Sequence, residues 1–236
     1  MRLDKYLTEL QIGTRSQVKQ IIRKGSVFVN GEPVKKPEYS VDEANDTIIY
    51  NGKVLSYQKY QYFMLYKPAG VVTATKDNFD KTVLDLLPSD AGKGLFPVGR
   101  LDKDTEGLLL ITNDGELAHR LLAPKKHVEK TYYTECSGTI SREAVARLEQ
   151  GIDIGDDTPT KPAKVKILSQ MPDMYTLELT ITEGRFHQVK RMIAAAGGQV
   201  TYLKRIAMGT LTLDSTLEKG SYRVLTEQEL VELKQL

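Results

Sequence analysis

The spacing of apolar positions changes along the chain, and the changes divide it into pieces. Leu3, Tyr6, Leu7 and Leu10 recur at the three- and four-residue intervals of a helix face. A break at Ile12-Gly13 follows. Thr14, with Gln17 three residues on, has the form of a capping box that opens a second helix. Val18, Ile21 and Ile22 make its apolar stripe, and Gly25 is placed to end it as the residue after the C-cap. The pattern then turns to alternation. Val27 and Val29 lead into Asn30-Gly31, a strong hairpin-turn pair, and Val34 continues the return strand. Val41, Ile48 and Ile49 predict one or two further short strands. Residues 51–61 are polar and without period; they read as a connector, with a domain boundary near residue 59.

From residue 60 the chain reads as short strands with few helices. Strands are expected at 62–66, 71–75, 108–112, 131–136, 163–168, 175–182, 200–206 and 211–213. Helices are expected at 82–87, 115–122, 141–150, 186–196 and 226–233. Strands are not followed regularly by long helices, which disfavours a doubly wound parallel sheet. The expected fold class is therefore α+β. Residues 1–59 form a small helix–hairpin module, and residues 60–236 form a larger domain built on a mixed, mostly antiparallel sheet.

Composition narrows the chemistry more than it identifies it. The 236 residues carry a formal net charge of only +2, so total charge does not mark a nucleic-acid binder. Its distribution is more telling: residues 1–36 hold eight Lys or Arg against three acids, 8 − 3 = +5. Such an excess suits a phosphate backbone or a merely solvated face. The one cysteine, Cys136, sits in an alternating run and is expected to be packed rather than reactive; no disulfide can form within the chain, which fits a reducing compartment. The first residues lack the apolar core of a signal peptide, and no apolar run approaches a membrane span, so a cytoplasmic location is expected. Three scattered histidines without ligand spacing argue against a metal site, and no Gly-rich phosphate loop argues for nucleotide use. Carboxylates, tyrosines and cations are left to carry any reaction.

One stretch concentrates such groups. Gly99-Arg100-Leu101-Asp102-Lys103-Asp104-Thr105-Glu106-Gly107-Leu108-Leu109-Leu110 places Asp102 between an arginine and a polar, glycine-ended turn, directly before a buried apolar run. Taken alone, a loop Asp is usually a turn former or N-cap. Three further segments accompany it: Tyr66-Lys67-Pro68-Ala69-Gly70, whose Pro68 and Gly70 make a tight turn expected to present Lys67; Lys130-Thr131-Tyr132; and Glu183-Gly184-Arg185-Phe186-His187-Gln188-Val189-Lys190-Arg191-Met192. In the last, Val189, Met192, Ile193 and Ala196 recur as one buried helix face, Gly184 permits an unusual backbone angle, and Arg185, Lys190 and Arg191 crowd the first turns. A helix start already favours anions, so these cations suit an RNA phosphate, a catalytic carboxylate, or both.

These segments resemble the motifs of the pseudouridine synthases, with Tyr66 in place of a commoner Asn. Met1–Leu7, residues 62–65 and Thr160-Lys161-Pro162-Ala163 point to the RsuA type of that family, which acts on small-subunit ribosomal RNA. The first sixty residues resemble the small RNA-binding module named after ribosomal protein S-four, through Arg2-Leu3-Asp4-Lys5-Tyr6-Leu7 and residues 16–31. That resemblance makes Arg15, Lys19, Arg23 and Lys24 phosphate contacts; Lys19 and Arg23, four apart, share a helical face.

The resemblance implies a curved central sheet around a cleft, and an isomerase that breaks the bond between C1′ and N1 of uridine, turns the uracil over and joins C5 to C1′. It implies no cofactor and no metal. Asp102 is the expected catalytic group, as nucleophile at C1′ or as base at the sugar; both routes are open. An aspartate is ionised in water at neutral pH, burial raises its pKa, and a neighbouring cation lowers it. Lys190 is expected to be that cation. Tyr132 is expected against the target uracil, and Arg100 to hold the flipped nucleotide or fill the space it leaves. Arg185, Arg191 and Lys67 are expected as RNA contacts. The implied substrate is a single uridine of 16S ribosomal RNA, uridine 516, met as naked RNA or in a pre-ribosomal particle by a monomer. A large-subunit 23S rRNA synthase, a non-catalytic rRNA-binding assembly factor and an RNA N-glycosidase are the alternatives.

Overall fold

A computed structural model describes every residue except Ala44, Tyr57, Gln58 and Asp90. Two of these fall in the polar stretch expected to connect the modules, so that part of the expectation lies outside the described residues. The chain forms two compact units, one of Met1–Gln61 with Pro88–Gly94, the other of Tyr62–Leu87 with Leu95–Leu236.

In the first unit, α1 (Leu3–Glu9) and α2 (Arg15–Arg23) pack on a four-stranded antiparallel sheet of β1 (Val27–Val29), β2 (Glu32–Val34), β3 (Ile48–Tyr50) and β4 (Lys53–Leu55), ordered β2-β1-β3-β4. The capping box is formed as expected: Gln17 N donates to Thr14 Oγ1 at 3.4 Å and Thr14 N to Gln17 Oε1 at 2.9 Å. Gly25 follows α2 in the left-handed region at φ +73°. Leu3, Tyr6, Leu7, Val18, Ile22, Val27, Val29 and Ile48 share one small core. The turns of the two hairpins are alike. Asn30-Gly31 has φ 53° and 88°, and Asn51-Gly52 has φ 49° and 74°, the paired positive angles of a type I′ turn. Residues 51–55 therefore belong to the β3–β4 hairpin and not to a connector. Their signal was the same Asn-Gly pair, masked by the polar residues around it.

The second unit is built on a mixed sheet. Its strands are β5 (Tyr62–Lys67), β6 (Phe96–Pro97), β7 (Glu106–Thr112), β8 (Lys130–Ser137), β9 (Lys164–Met171), β10 (Met174–Ile181), β11 (Gln199–Met208), β12 (Leu211–Thr212) and β13 (Tyr222–Val224). The order is β13-β5-β7-β11-β8-β10-β9, with β6 on β7 and β12 on β11. All recorded pairings are antiparallel except β7 with β11. β7 is buried at all seven positions, and its middle, residues 108–111, reads as an uninterrupted apolar run. Its Leu108 and Leu110 join Tyr62, Met64, Leu117, Leu121, Met208 and Leu233 in the core. The helices are α3 (Gly115–Leu122), α4 (Arg142–Gln150), α5 (Gln188–Ala195) and α6 (Glu227–Lys234).

Four expectations are corrected. Residues 71–75 form no strand; Val72 makes one isolated bridge to Thr82, and the hydroxyl of Thr73 instead bonds the backbone of Leu101. The expected helix at 186–196 starts at Gln188, because His187 takes the left-handed angles φ 48°, ψ 33°. Gly184 has no such angle; the unusual backbone belongs to His187. At 82–87 only a 3₁₀ turn, Val83–Leu86, is formed.

Candidate active site

The loop that carries Asp102 hangs between β6 and β7 and is fixed from several sides. Thr73 Oγ1 donates to the Leu101 carbonyl at 2.7 Å and accepts from Leu101 N at 3.2 Å. Gly70 N donates to the Lys103 carbonyl at 2.8 Å, and Lys103 Nζ meets Asp80 Oδ1 at 2.7 Å. Beneath the loop lies Lys67. Its ammonium donates to the carbonyls of Pro68 at 3.0 Å, Lys103 at 3.2 Å and Thr105 at 2.8 Å. The side chain is fully buried, which pushes its pKa down to about 8. Lys67 is thus no presented RNA contact, contrary to the reading of its motif. The turn at Pro68 and Gly70 directs the chain onward, while the lysine, as the last residue of β5, points inward.

Gly107 lets the loop feed into the sheet. At φ +109°, a Cβ on it would stand 2.2 Å from the Arg205 carbonyl oxygen of β11. Only glycine allows that approach. Arg205 itself is buried and donates from Nε to the Leu108 carbonyl at 2.8 Å.

The first turn of α5 supplies the opposite wall. Lys190 Nζ lies 3.3 Å from Asp102 Oδ2, and His187 Nε2 lies 3.6 Å from Asp102 Oδ1. Lys190 also bonds both oxygens of Asp104, at 2.6 and 2.8 Å, and this holds the Asp104 carboxyl below the usual carboxylate range. Asp102, Tyr132, Arg100, Thr105, His187 and Lys190 line one cleft. Tyr132 is buried there, on the inward face of β8, opposite Leu179 and Arg205 in the ladders. Lys130, two residues earlier on the same face, is also buried. Its ammonium donates to the Val128 carbonyl at 2.9 Å, and burial beside Arg205 pushes its pKa down to about 8.

The expected Asp102, Tyr132, Lys190 and Arg100 are therefore brought together. Arg185 lines the same cleft, but its guanidinium is committed within the protein. It bonds Glu183 and Asp156 and the carbonyls of Thr158 and Pro159. Arg191 likewise bonds Asp156 and the carbonyls of Ile154 and Phe186. The carboxylates these arginines meet are Asp156 and Glu183, and they brace the segment 154–159 against α5. Arg185 also precedes the helix and does not lie in its first turn. Asp104 and His187 were absent from the expected site. Both stand inside the motifs that were singled out, Asp104 two residues beyond Asp102 and His187 next to Gln188.

In the first unit, Arg15 and Lys19 line a polar cleft with Arg2, Asp4, Lys5, Thr8 and Glu9. Arg23 and Lys24 are exposed on the same helix end, outside that cleft. Among the described residues no group of three or more His, Cys, Asp or Glu could hold a metal ion, and no helix is long and apolar enough to cross a membrane.

Comparison with known proteins decides the family. Residues 61–195 match the family described as RNA pseudouridylate synthase, and residues 1–48 match the S4 domain. The chain belongs to the RNA pseudouridylate synthase family. A protein of Bacillus subtilis (strain 168) named uncharacterized RNA pseudouridine synthase YtzG is 48% identical over 231 residues, covering 98% of this chain and 97% of the relative. A protein of Haemophilus influenzae named ribosomal small subunit pseudouridine synthase A is 42% identical over 235 residues, covering 99% of each chain. A solved structure titled as a pseudouridylate synthase superposes with a TM-score of 0.69 at 41% identity, covering 99% of both chains. As a pseudouridine synthase, the chain is an isomerase acting on RNA. Its fold joins an N-terminal S4 domain to a mixed α+β catalytic unit, as its sequence patterning implied.

Proposed function

We propose that this pseudouridine synthase isomerises a single uridine of small-subunit ribosomal RNA, uridine 516, with Asp102 as the group that acts at the ribose. The observation that carries the reading is the placing of Asp102. Its carboxylate is held on a multiply bonded loop, at the edge of a cleft shared with Tyr132, with the Lys190 ammonium 3.3 Å from one oxygen. An ionised carboxylate so fixed can attack C1′ or take a proton from the sugar as the uracil leaves. The Tyr132 ring faces the same space and offers a surface for the detached base. Arg100, exposed at the rim, is placed to meet the backbone of a nucleotide drawn out of its stack. Arg15, Lys19, Arg23 and Lys24 of the S4 domain supply sequence-independent phosphate attraction. The choice of the small subunit is supported by relatives named ribosomal small subunit pseudouridine synthase A, 38–42% identical along nearly the whole chain. The protein works in the cytoplasm as a monomer, on rRNA that is free or still assembling.

The test uses ribosomal RNA tritiated at uracil C5. Conversion replaces C5–H by the C5–C1′ bond, so turnover releases tritium. Release from small-subunit RNA by the wild type and none by Asp102→Asn, with RNA affinity kept, is the expected result. Tritium released by Asp102→Asn would remove Asp102 from its role. Free uracil would make the protein a glycosidase. Release from large-subunit RNA alone would move the target.

A further inference from the structure

The segment before α5 holds an aromatic ring that the fold does not use for packing. Phe186 is 76% exposed, yet its mount is rigid. Arg191 Nη1 donates to the Phe186 carbonyl at 3.2 Å, and Arg185 N donates to Gln188 Oε1 at 2.8 Å. The amide of Gln188, itself buried, is locked in turn by a 2.7 Å bond to Glu183 Oε1. His187 is held in left-handed angles at φ 48°, a conformation that persists in a non-glycine residue only where the surroundings over-determine it. The Phe186 ring lies on the His187 imidazole, centroids 3.7 Å apart and planes 22° apart. The same imidazole reaches Asp102 Oδ1 at 3.6 Å. A continuous chain of contacts therefore runs from Asp102 outward, through His187 to the stacked Phe186, and ends on an exposed ring.

We infer that Phe186 is a nucleotide-positioning residue, whose free face stacks an unpaired RNA base adjacent to the target uridine. This rests on the reading of the cleft as the place where a flipped uridine reacts. When that nucleotide leaves its stack, its neighbour loses a partner face. An aromatic ring accepts any base by its π-face, and one already fixed in place loses little side-chain freedom on binding. The exposed cation at the rim, Arg100, suits a polyanion more than an apolar protein surface. Phe186 does not itself line the cleft and meets it only through His187, so it acts on binding and positioning rather than on the chemical step.

The experiment compares Phe186→Ala, Phe186→Leu and Phe186→Tyr in tritium release and in filter-binding affinity, using the rRNA that the wild type turns over. Ala and Leu are expected to raise KM and Kd roughly five- to hundredfold. The rate at saturating RNA should stay within about threefold of wild type, and Tyr should restore both constants. The side chain is exposed, so thermal unfolding should be unchanged in all three. Unchanged KM and Kd in Phe186→Ala would overturn the inference. So would Leu performing as well as Tyr, which would make the ring a generic apolar contact. A wild type that binds rRNA without releasing tritium would sink the functional reading instead, and the Leu–Tyr contrast in Kd would then decide the stacking claim alone.

Discussion

Replacing Lys67 by methionine separates the stability of the fold from the setting of the loop that carries Asp102. The substitution keeps the length of the side chain and removes the ammonium. Three carbonyls lose a donor; that of Lys103 keeps Gly70 N, so those of Pro68 and Thr105 are the ones stripped. A buried acceptor left unsatisfied costs about 1–3 kcal/mol, which falls on the Thr105 carbonyl, whereas the Pro68 bond is only partly buried. Against this stands the cost of burying the ammonium. Its pKa falls from 10.5 to about 8, and at about 1.36 kcal/mol per unit this disfavours the charged folded state by roughly 3 kcal/mol at neutral pH. The two effects largely offset, leaving a net change between a gain of about 2 kcal/mol and roughly none. The loop that carries Asp102 loses its central tether all the same. A displacement near 1 Å costs on the order of a hundredfold in rate. The expected result is a fall in kcat of roughly tenfold to a thousandfold, with the protein still folded and RNA affinity near wild type. The sign of the pH effect gives a second check. The unfolded chain binds this proton more tightly between about pH 8 and 10.5, so wild-type stability should gain from Lys67 as pH rises through that window, and Lys67→Met should lack that gain. Urea melts at pH 7 and pH 10, with tritium-release kinetics, measure both. A kcat within threefold of wild type, or a stability difference between the two proteins that does not move with pH, would refute the reasoning.

The other predictions are narrower. Lys19→Ala with Arg23→Ala should weaken rRNA binding and make the slope of log K against log salt shallower by about 1.4–1.8; an unchanged slope would detach α2 from the RNA. Gly107→Ala should fail to fold or lose several kcal/mol, since the new Cβ meets backbone 2.2 Å away; a melting temperature near wild type would contradict the strand geometry. The Cys136 thiol, pushed up to about 11 by burial, should resist alkylation at pH 8 until the protein is unfolded in urea; rapid native labelling would contradict its burial.

Local patterning carried much of the architecture. The capping box at Thr14, the Asn30-Gly31 turn and the apolar run at 108–111 in β7 depend on neighbours in sequence, so their residues announce them. The motif around Asp102 marked a candidate carboxylate through its resemblance to the family's motifs, since a loop aspartate taken alone is more often a turn former. The sequence also contained the Asn51-Gly52 hairpin, although its polar setting concealed it. What it could not disclose is direction and partnership. Lys67 and Lys103 look alike in composition, yet one ammonium lies sealed under the loop and the other meets Asp80 at the surface. Arg185 and Arg191 look like free cations until the fold returns the segment at 154–159 to them. Lys190 finds two aspartates, 86 residues away at Asp104, because β7 and β11 lie side by side and α5 packs on β11. Periodicity records which face of an element is apolar. Which charges meet across elements is set by strand order and close approach, and those exist only once the chain has folded.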